Sequence, residues 1–321
     1  MRLGLYGGSF DPPHLGHLSA ARFFQQTMAL DDVLIVPAGK APLKHSAGLP
    51  GQTRLELCRL TFPFPIVDIE VTQSGESYTI HTLQALHKQH PQAKLFLLIG
   101  TDQLQKFTQW HRWQDILQLC QVCVLQRDKV PLQTNLSVTL LSGFTPVEIS
   151  STKLRGMLAL GQREVANYLT PEAYAFIQAN RLYSEPMLPE KRLYHSRCVA
   201  DSAEQLALQY GADPKKARFA GLWHDCAKYL VSDPLQHAAA GAEYLKHHMG
   251  ITDEEILSAV RWHTTGHADM NLLAQVVFVA DLISEDRNYP DVEIVRELAA
   301  KDLNAATDYI RIFKERLYAA T

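Results

Sequence analysis

Short apolar runs alternate with helix-spaced stretches through the first half of the chain. RLGLYG, DVLIVPAG, FPIVDIEV, KLFLLIGTD and QVCVLQ read as buried strands, and LGHLSAARFFQQTMAL, TRLELCRLTF, TIHTLQALHKQH and WHRWQDILQLC carry apolar residues at helical spacing. This alternation predicts an α/β unit, a doubly wound parallel sheet covered by helices on both faces, with ligands at the carboxyl ends of the strands.

The second half has a helical texture. DPKKARFAGLWHDCAKYL and DPLQHAAAGAEYLKHHMG each open on Asp-Pro, an N-cap followed by proline at the first helical position. TDEEILSAVRWH opens on a capping box formed by Thr252 and Glu255. LLAQVVFVADLI suits a buried helix or a strand, and VEIVRELAAKDLNAATDYIRIFKERLYAA reads as a long helical C-terminus. The change of texture falls in NRLYSEPMLPEKRLYH, which predicts an α/β domain over 1–183, a linker at 184–190 and an all-α domain over 191–321.

Composition narrows the partners. The chain has 321 residues, enough for two cores, with 46% hydrophobic and 20% charged residues. A net charge of -3 offers no global attraction for nucleic acid or anionic lipid, so a phosphate site must be built locally. Met1 runs straight into RLGLYGG, too short an apolar stretch for a signal peptide, and no later segment nears membrane-spanning length. The expectation is a cytoplasmic protein with small-molecule partners, no nucleic acid and no membrane; a homo-oligomer is compatible with the sequence. Cys120 and Cys123 form a lone C-x-x-C among apolar neighbours and read as packing residues.

The segment YGGSFDPPHLGHL, Tyr6 to Leu18, follows the first strand, where the sheet rule puts a site. Gly7 and Gly8 let the chain turn and let backbone N–H groups approach an anion closely. Pro12 and Pro13 preset a helix start, which places His14 and His17 on one face of its first turn. Two imidazoles at a helix N-terminus can donate to phosphate oxygens, with Gly16 leaving room for a nucleotide. A zinc site would need more ligands, and H-x-G-H lacks the glutamate and the i, i+4 spacing of the helix-borne metalloprotease motif. Structural or surface histidines are the other reading of these residues alone.

GGSFDPPHLGH closely resembles the H-x-G-H signature of the nucleotidyltransferase superfamily, and ISSTKLR, Ile149 to Arg155, resembles its second signature. The resemblance implies a Rossmann-like fold and transfer of a nucleotidyl group from a nucleoside triphosphate with release of pyrophosphate. It carries Gly7, Gly8, Ser9, Phe10, Ser150, Ser151 and Thr152 into the nucleotide site and gives Arg155 a phosphate contact. A plain Ser/Thr helix cap would explain Ser151 but not its pairing with H-x-G-H. Further segments resemble bacterial nicotinate-nucleotide adenylyltransferase. VPAGKAPLKH implies a substrate lysine at Lys44, and ESYTIHTL implies a loop at Tyr78 and Thr79 whose backbone receives the nicotinate carboxylate. LIGTDQLQKFTQWHRWQDIL implies Gly100, Asp102 and Trp110 in the substrate site, the indole being a reasonable platform for a pyridine ring. His81 and Thr101 depart from the family pattern, which has an acidic residue and more commonly alanine there. The implied partners are ATP with Mg²⁺ and nicotinate mononucleotide; nicotinamide mononucleotide and phosphopantetheine are the rival acceptors.

The second half contains adjacent His224 and Asp225 in AGLWHDCAKYL, a pair too common to mark a metal site alone. His195 lies upstream, and His237, His263 and Asp281 lie downstream. Asp281 sits in an apolar run, where a buried carboxylate needs a strong partner, a helix cap or solvated edge being the plainer alternative. The order H…HD…H…H…D resembles the HD phosphohydrolase superfamily, and GLWHDCAK, HAAAGA, HTTG and VADLISEDR resemble its bacterial branch that splits diadenosine tetraphosphate into two ADP. The resemblance implies that His195, His224, Asp225 and Asp281 hold one metal and that Asp225 bridges to a second completed by His237 and His263. It implies two iron ions, with manganese or zinc also suited to the mixed donor set. Lys228 and Arg287 are candidates to neutralise phosphate, or ordinary salt-bridge residues. Action on a nucleotide monophosphate or a cyclic nucleotide, and a role as a metal-stabilised nucleotide sensor, are the rival readings of this half.

Overall fold

The computed structural model describes residues 1–39, 48–73, 75–126 and 134–319. It divides into two compact units, residues 1–154 with 163–180, and residues 155–162 with 181–321.

The first unit is the expected doubly wound sheet. Strands β1 (Arg2–Gly8), β2 (Asp32–Pro37), β3 (Lys94–Gly100), β4 (Cys120–Leu125) and β5 (Thr139–Leu141) pair in parallel in the order β2-β1-β3-β4-β5. Strand alternation separates two cores. Leu3, Leu5, Leu97 and Val122 face a layer with Ile80, Leu83 and Ile116 from α4 (Thr79–Gln89) and α6 (Trp113–Leu119). Tyr6, Phe96, Leu98 and Cys123 face the opposite layer, with Phe24 from α1 (Leu15–Thr27) and Cys58 from α2 (Gly51–Thr61). Both cysteines of the C-x-x-C are buried in β4, and burial pushes each thiol up to about 12, which fits packing and not thiol chemistry.

Two expectations fail here. FPIVDIEV is not a strand of the sheet: Ile66 makes one bridge to Ile35, and the chain then turns into the short helix α3 (Ile69–Thr72). Pro63 and Pro65 supply no N–H to a ladder, so pairing cannot extend through them. The edge strand β5 was not anticipated, being three residues long and below the reach of periodicity. Helices α5 (Thr101–Gln105), α7 (Ser151–Ala159) and α8 (Pro171–Ala179) complete the segment up to residue 180.

The second unit is helical: α9 (Glu190–Tyr210), α10 (Pro214–Trp223), α11 (His237–His247), α12 (Glu254–Trp262), α13 (Leu272–Ile283), α14 (Val292–Lys301) and α15 (Leu303–Ala319). LLAQVVFVADLI is the helix α13, and its run from Val276 to Ala280 is fully buried among its neighbours. Asp213 caps α10 with Pro214 at its first position, as expected. The other caps differ. Asp253, not Thr252, accepts the N–H groups of Glu255 and Ile256 at the start of α12. Asp233 accepts the Leu235 N–H within a turn, and α11 begins only at His237. The C-terminal stretch is two helices, broken where the Asp302 carboxylate accepts the N–H groups of Asn304 and Ala305.

Candidate active sites

In the first unit, the chain leaves β1 through Gly7 and Gly8 and runs over the buried Phe10 ring, which packs edge-on against His17 at 5.1 Å. Pro12 and Pro13 lie before α1, not inside it, and His14 is the N-cap. The two histidines form a capping box. Nδ1 of His14 accepts the Gly16 N–H at 3.1 Å, and Nδ1 of His17 accepts the His14 N–H at 3.3 Å. A backbone N–H can only donate, so in each neutral ring the proton is on Nε2, turned away from the helix as a donor. The rings stack with centroids 3.7 Å apart. Gly16 serves this stack: a Cβ there would stand 2.9 Å from Nδ1 of His14. Its room is needed by the imidazole.

The second signature joins the first within this unit. Ser151 Oγ donates to the Pro12 carbonyl at 2.8 Å, and Ser150 Oγ accepts the Lys153 N–H at 3.2 Å, so Ser150 caps the first turn of α7. Thr152 is half-buried on that turn. Arg155 groups with the second unit, where it is buried and its Nε donates to the His248 carbonyl at 2.8 Å. Lys44 lies outside the described residues. Gly100 ends β3, Asp102 is exposed, and Trp110 is half-buried against Phe107 at 5.3 Å. Tyr78 directly precedes α4, which starts at Thr79 with no side-chain cap, and its ring lies 4.6 Å from that of His111.

Two positioning residues of this unit were missed. Arg54, buried on α2, donates to the carbonyls of Leu49, Ser9 and Ala38 at 3.0, 2.7 and 2.7 Å, which ties the loops after β1 and β2 together. Glu70 of α3 is half-buried, and desolvation raises its pKa against the opposing pull of Thr82, Gly39 and Ser77. Thr82 Oγ1 donates to its carboxylate at 2.8 Å, and Ser77 Oγ donates to its carbonyl at 3.3 Å. Only glycine fits at Gly39, where a Cβ would lie 1.9 Å from the Glu70 carbonyl oxygen. Glu70 thus holds the loop after β2 to the loop that contains Tyr78.

In the second unit, six residues from five segments converge: His195 from α9, His224 and Asp225 at the end of α10, His237 at the start of α11, His263 at the end of α12 and Asp281 from α13. All are buried. Nδ1 of His224 donates to the Gly221 carbonyl at 2.7 Å, that of His263 donates to the Val260 carbonyl at 2.7 Å, and that of His237 donates to the Pro234 carbonyl. A carbonyl can only accept, so these rings carry their protons on Nδ1 and turn the Nε2 lone pair inward. Nδ1 of His195 is held at 2.8 Å by Asp286, whose other oxygen accepts Ser284 Oγ at 2.8 Å.

The inward atoms crowd one another in the manner of ligands. His237 Nε2 lies 2.9 Å from Asp225 Oδ1 and 3.0 Å from His263 Nε2, and His195 Nε2 lies 3.1 Å from Asp281 Oδ1. Lone pairs facing at such distances need a cation among them, so the donor set fits metal. His195, His224 and Asp281 form one such group, and His224, Asp225 and His263 form another. Burial pushes His224 down to about 4, against the pull of Asp225, and so keeps it neutral. Burial opposes ionisation of Asp225, but its carboxyl is held far below the usual range. Asp281 is likewise depressed despite its burial, with the Arg287 guanidinium against its carboxylate. Cationic side chains reach the same atoms. Arg192 donates to Asp225 Oδ2 at 2.9 Å, Lys228 Nζ lies 3.2 Å from His237 Nε2, and Arg287 donates to both the carboxylate and the carbonyl of Asp281. Sequence reasoning did not single out Asp286 or Arg192, although Arg192 stands one helical turn before His195 on α9.

A cytidylyltransferase-like family model matches residues 5–157, and an HD domain model matches residues 192–286. A protein of Mycoplasma pneumoniae named as a probable nicotinate-nucleotide adenylyltransferase/Ap4A hydrolase is 27% identical over 94% of this chain and 96% of its own length. A probable nicotinate-nucleotide adenylyltransferase of Gemmatimonas aurantiaca is 32% identical over 58% of this chain and 93% of its own length. A crystal structure of a predicted HD superfamily hydrolase involved in NAD metabolism from Clostridium acetobutylicum is 33% identical, covering 46% of this chain and 88% of that one, with a TM-score of 0.39. Among the described residues, no helix is long and apolar enough to cross a membrane.

Proposed function

Because the chain belongs to the nicotinate-nucleotide adenylyltransferase family and continues into an HD domain, we propose that it is a bifunctional nucleotide enzyme. Its first unit transfers the adenylyl group of ATP to nicotinate mononucleotide, and its second splits diadenosine tetraphosphate into two ADP. The observation that carries this reading is the opposite polarity of the two histidine sets. His14 and His17 offer Nε2–H donors, which suit phosphate oxygens; His224, His237 and His263 offer Nε2 lone pairs, which suit metal.

In the first unit, the 5′-phosphate oxygen of nicotinate mononucleotide attacks the α-phosphorus of ATP in line. A new P–O bond forms, the bond to the bridging oxygen of the β-phosphate breaks, and pyrophosphate leaves; Mg²⁺ would accompany ATP. His14 and His17 donate to phosphate oxygens as charge moves, and no covalent nucleophile is needed. In the second unit, His195, His224, Asp225 and Asp281 would hold one ion, and His237, His263 and the bridging Asp225 a second. Iron is the choice that the family likeness favours. When bound, such ions supply Lewis acidity toward water and the phosphoanhydride. Lys228 and Arg287 neutralise substrate phosphate, and Asp286 fixes the ring of His195.

Two variants separate the activities. His17→Ala should lower adenylyl transfer by orders of magnitude with the fold retained; near-normal turnover would remove this histidine from the reaction. Asp225→Ala should lose bound metal and hydrolase activity together while adenylyl transfer survives, and full hydrolysis by that variant would discard the second site. Release of nucleoside from a monophosphate, without ADP from the diadenosine compound, would move the second unit to another substrate class.

A further inference from the structure

Each buried carboxylate of the second site bears one guanidinium. Arg287 is on Asp281 and Arg192 is on Asp225; both arginine side chains are 32% exposed, whereas the carboxylate side chains are 10% and 3% exposed. Both arginines therefore reach inward from the solvent side. Arg192 extends from α9 one turn before His195, and its Nη1 stands 2.9 Å from Asp225 Oδ2, an oxygen of the proposed bridging ligand. A fixed positive charge at that distance weakens the same oxygen as a metal ligand. Its planar fork also matches a phosphate, and Lys228 and Arg287 already place two cations at this mouth.

We infer that Arg192 is a substrate-phosphate residue of the second site, whose guanidinium is shared between Asp225 and the polyphosphate chain. The inference rests on the proposed hydrolase reading and deepens it. With Lys228 and Arg287, Arg192 makes a three-cation rim, suited to a substrate with several consecutive phosphates and excessive for a monophosphate.

The role makes two predictions of opposite sign. For the full chain stripped of metal and titrated with Mn²⁺ against a chelator, Arg192→Ala should bind metal about tenfold more tightly, the order expected from removing one partly screened charge beside a ligand. The same variant should raise KM for diadenosine tetraphosphate about tenfold, with Arg192→Lys between it and wild type. An arginine that merely holds Asp225 in place would, once removed, weaken metal binding; weaker or unchanged affinity overturns the inference, as does an unchanged KM. A second readout needs no hydrolysis. ADP seated on the metals should slow extraction of Mn²⁺ by the chelator, by linkage, and Arg192→Ala should lose that protection; retained protection overturns the phosphate role. Wild-type protein that is protected by ADP yet leaves the diadenosine compound intact would fault the hydrolase reading and not the role of Arg192.

Discussion

Replacing Asp286 tests the proposed metal centre without touching a proposed ligand. Its Oδ2 lies 2.8 Å from Nδ1 of His195, and its Oδ1 accepts the Ser284 hydroxyl at 2.8 Å, so the carboxylate is itself oriented before it orients the ring. The bond keeps Nε2 of His195 as the inward atom and fixes the orientation of the ring. Loss of such an outer partner typically weakens metal binding about 10- to 100-fold, or about 1.4 to 2.7 kcal/mol. Asp286→Ala removes both charge and bond and belongs at the upper end. Asp286→Asn can keep a neutral hydrogen bond and belongs at the lower end. Chelator competition with Mn²⁺ on the full chain gives the affinities, and adenylyl transfer in the same sample checks that the first unit is intact. Unchanged metal affinity in Asp286→Ala would refute the reasoning, because His195 would then be oriented by its packing alone.

Two further outcomes concern the first unit. Arg54→Ala leaves one buried and two half-buried carbonyl acceptors without their donor and should destabilise this unit by about 2 kcal/mol, raising KM for both substrates; an unchanged melting temperature would show that water replaces the guanidinium. Glu70 is pushed above 4.5 chiefly by burial, so the folded unit retains a proton that the unfolded chain releases. Its contribution is complete below 4.5 and declines as pH rises through the folded value. Glu70→Gln has no proton to lose, and its melting temperature should therefore gain on that of wild type across this window; a relative decline with rising pH would contradict the assignment.

The chemistry was more legible in the sequence than the joints that place it. Two paired signatures and a five-part His/Asp series pointed to both sites, and strand alternation anticipated four of the five strands, because hydrophobic period and ligand type are local properties. The failures fall where a residue acts through distant partners. Arg54 looks like an ordinary charged position of a helix, yet its partners lie in two other loops. Glu70 belongs to a stretch that reads as a strand, and Pro63 and Pro65, which break the ladder, stand before it. Asp286 lies within VADLISEDR, five positions after Asp281, and acts on a ring 91 residues earlier in the chain.

The near nitrogen of each histidine makes the histidine motifs less portable than their letters suggest. Grafting H-x-G-H onto another helix start would move the side chains, but their chemistry would follow the N–H groups that the new backbone presents. Isosteric replacement also acquires a direction. Asparagine at His224 can preserve the short bond to Gly221 while deleting the ligand, whereas glutamine can extend an amide toward the ligand position at the expense of that anchor. For His14, His17, His224, His237 and His263, the polarity of the far nitrogen is thus set by the main-chain group bonded to the near one.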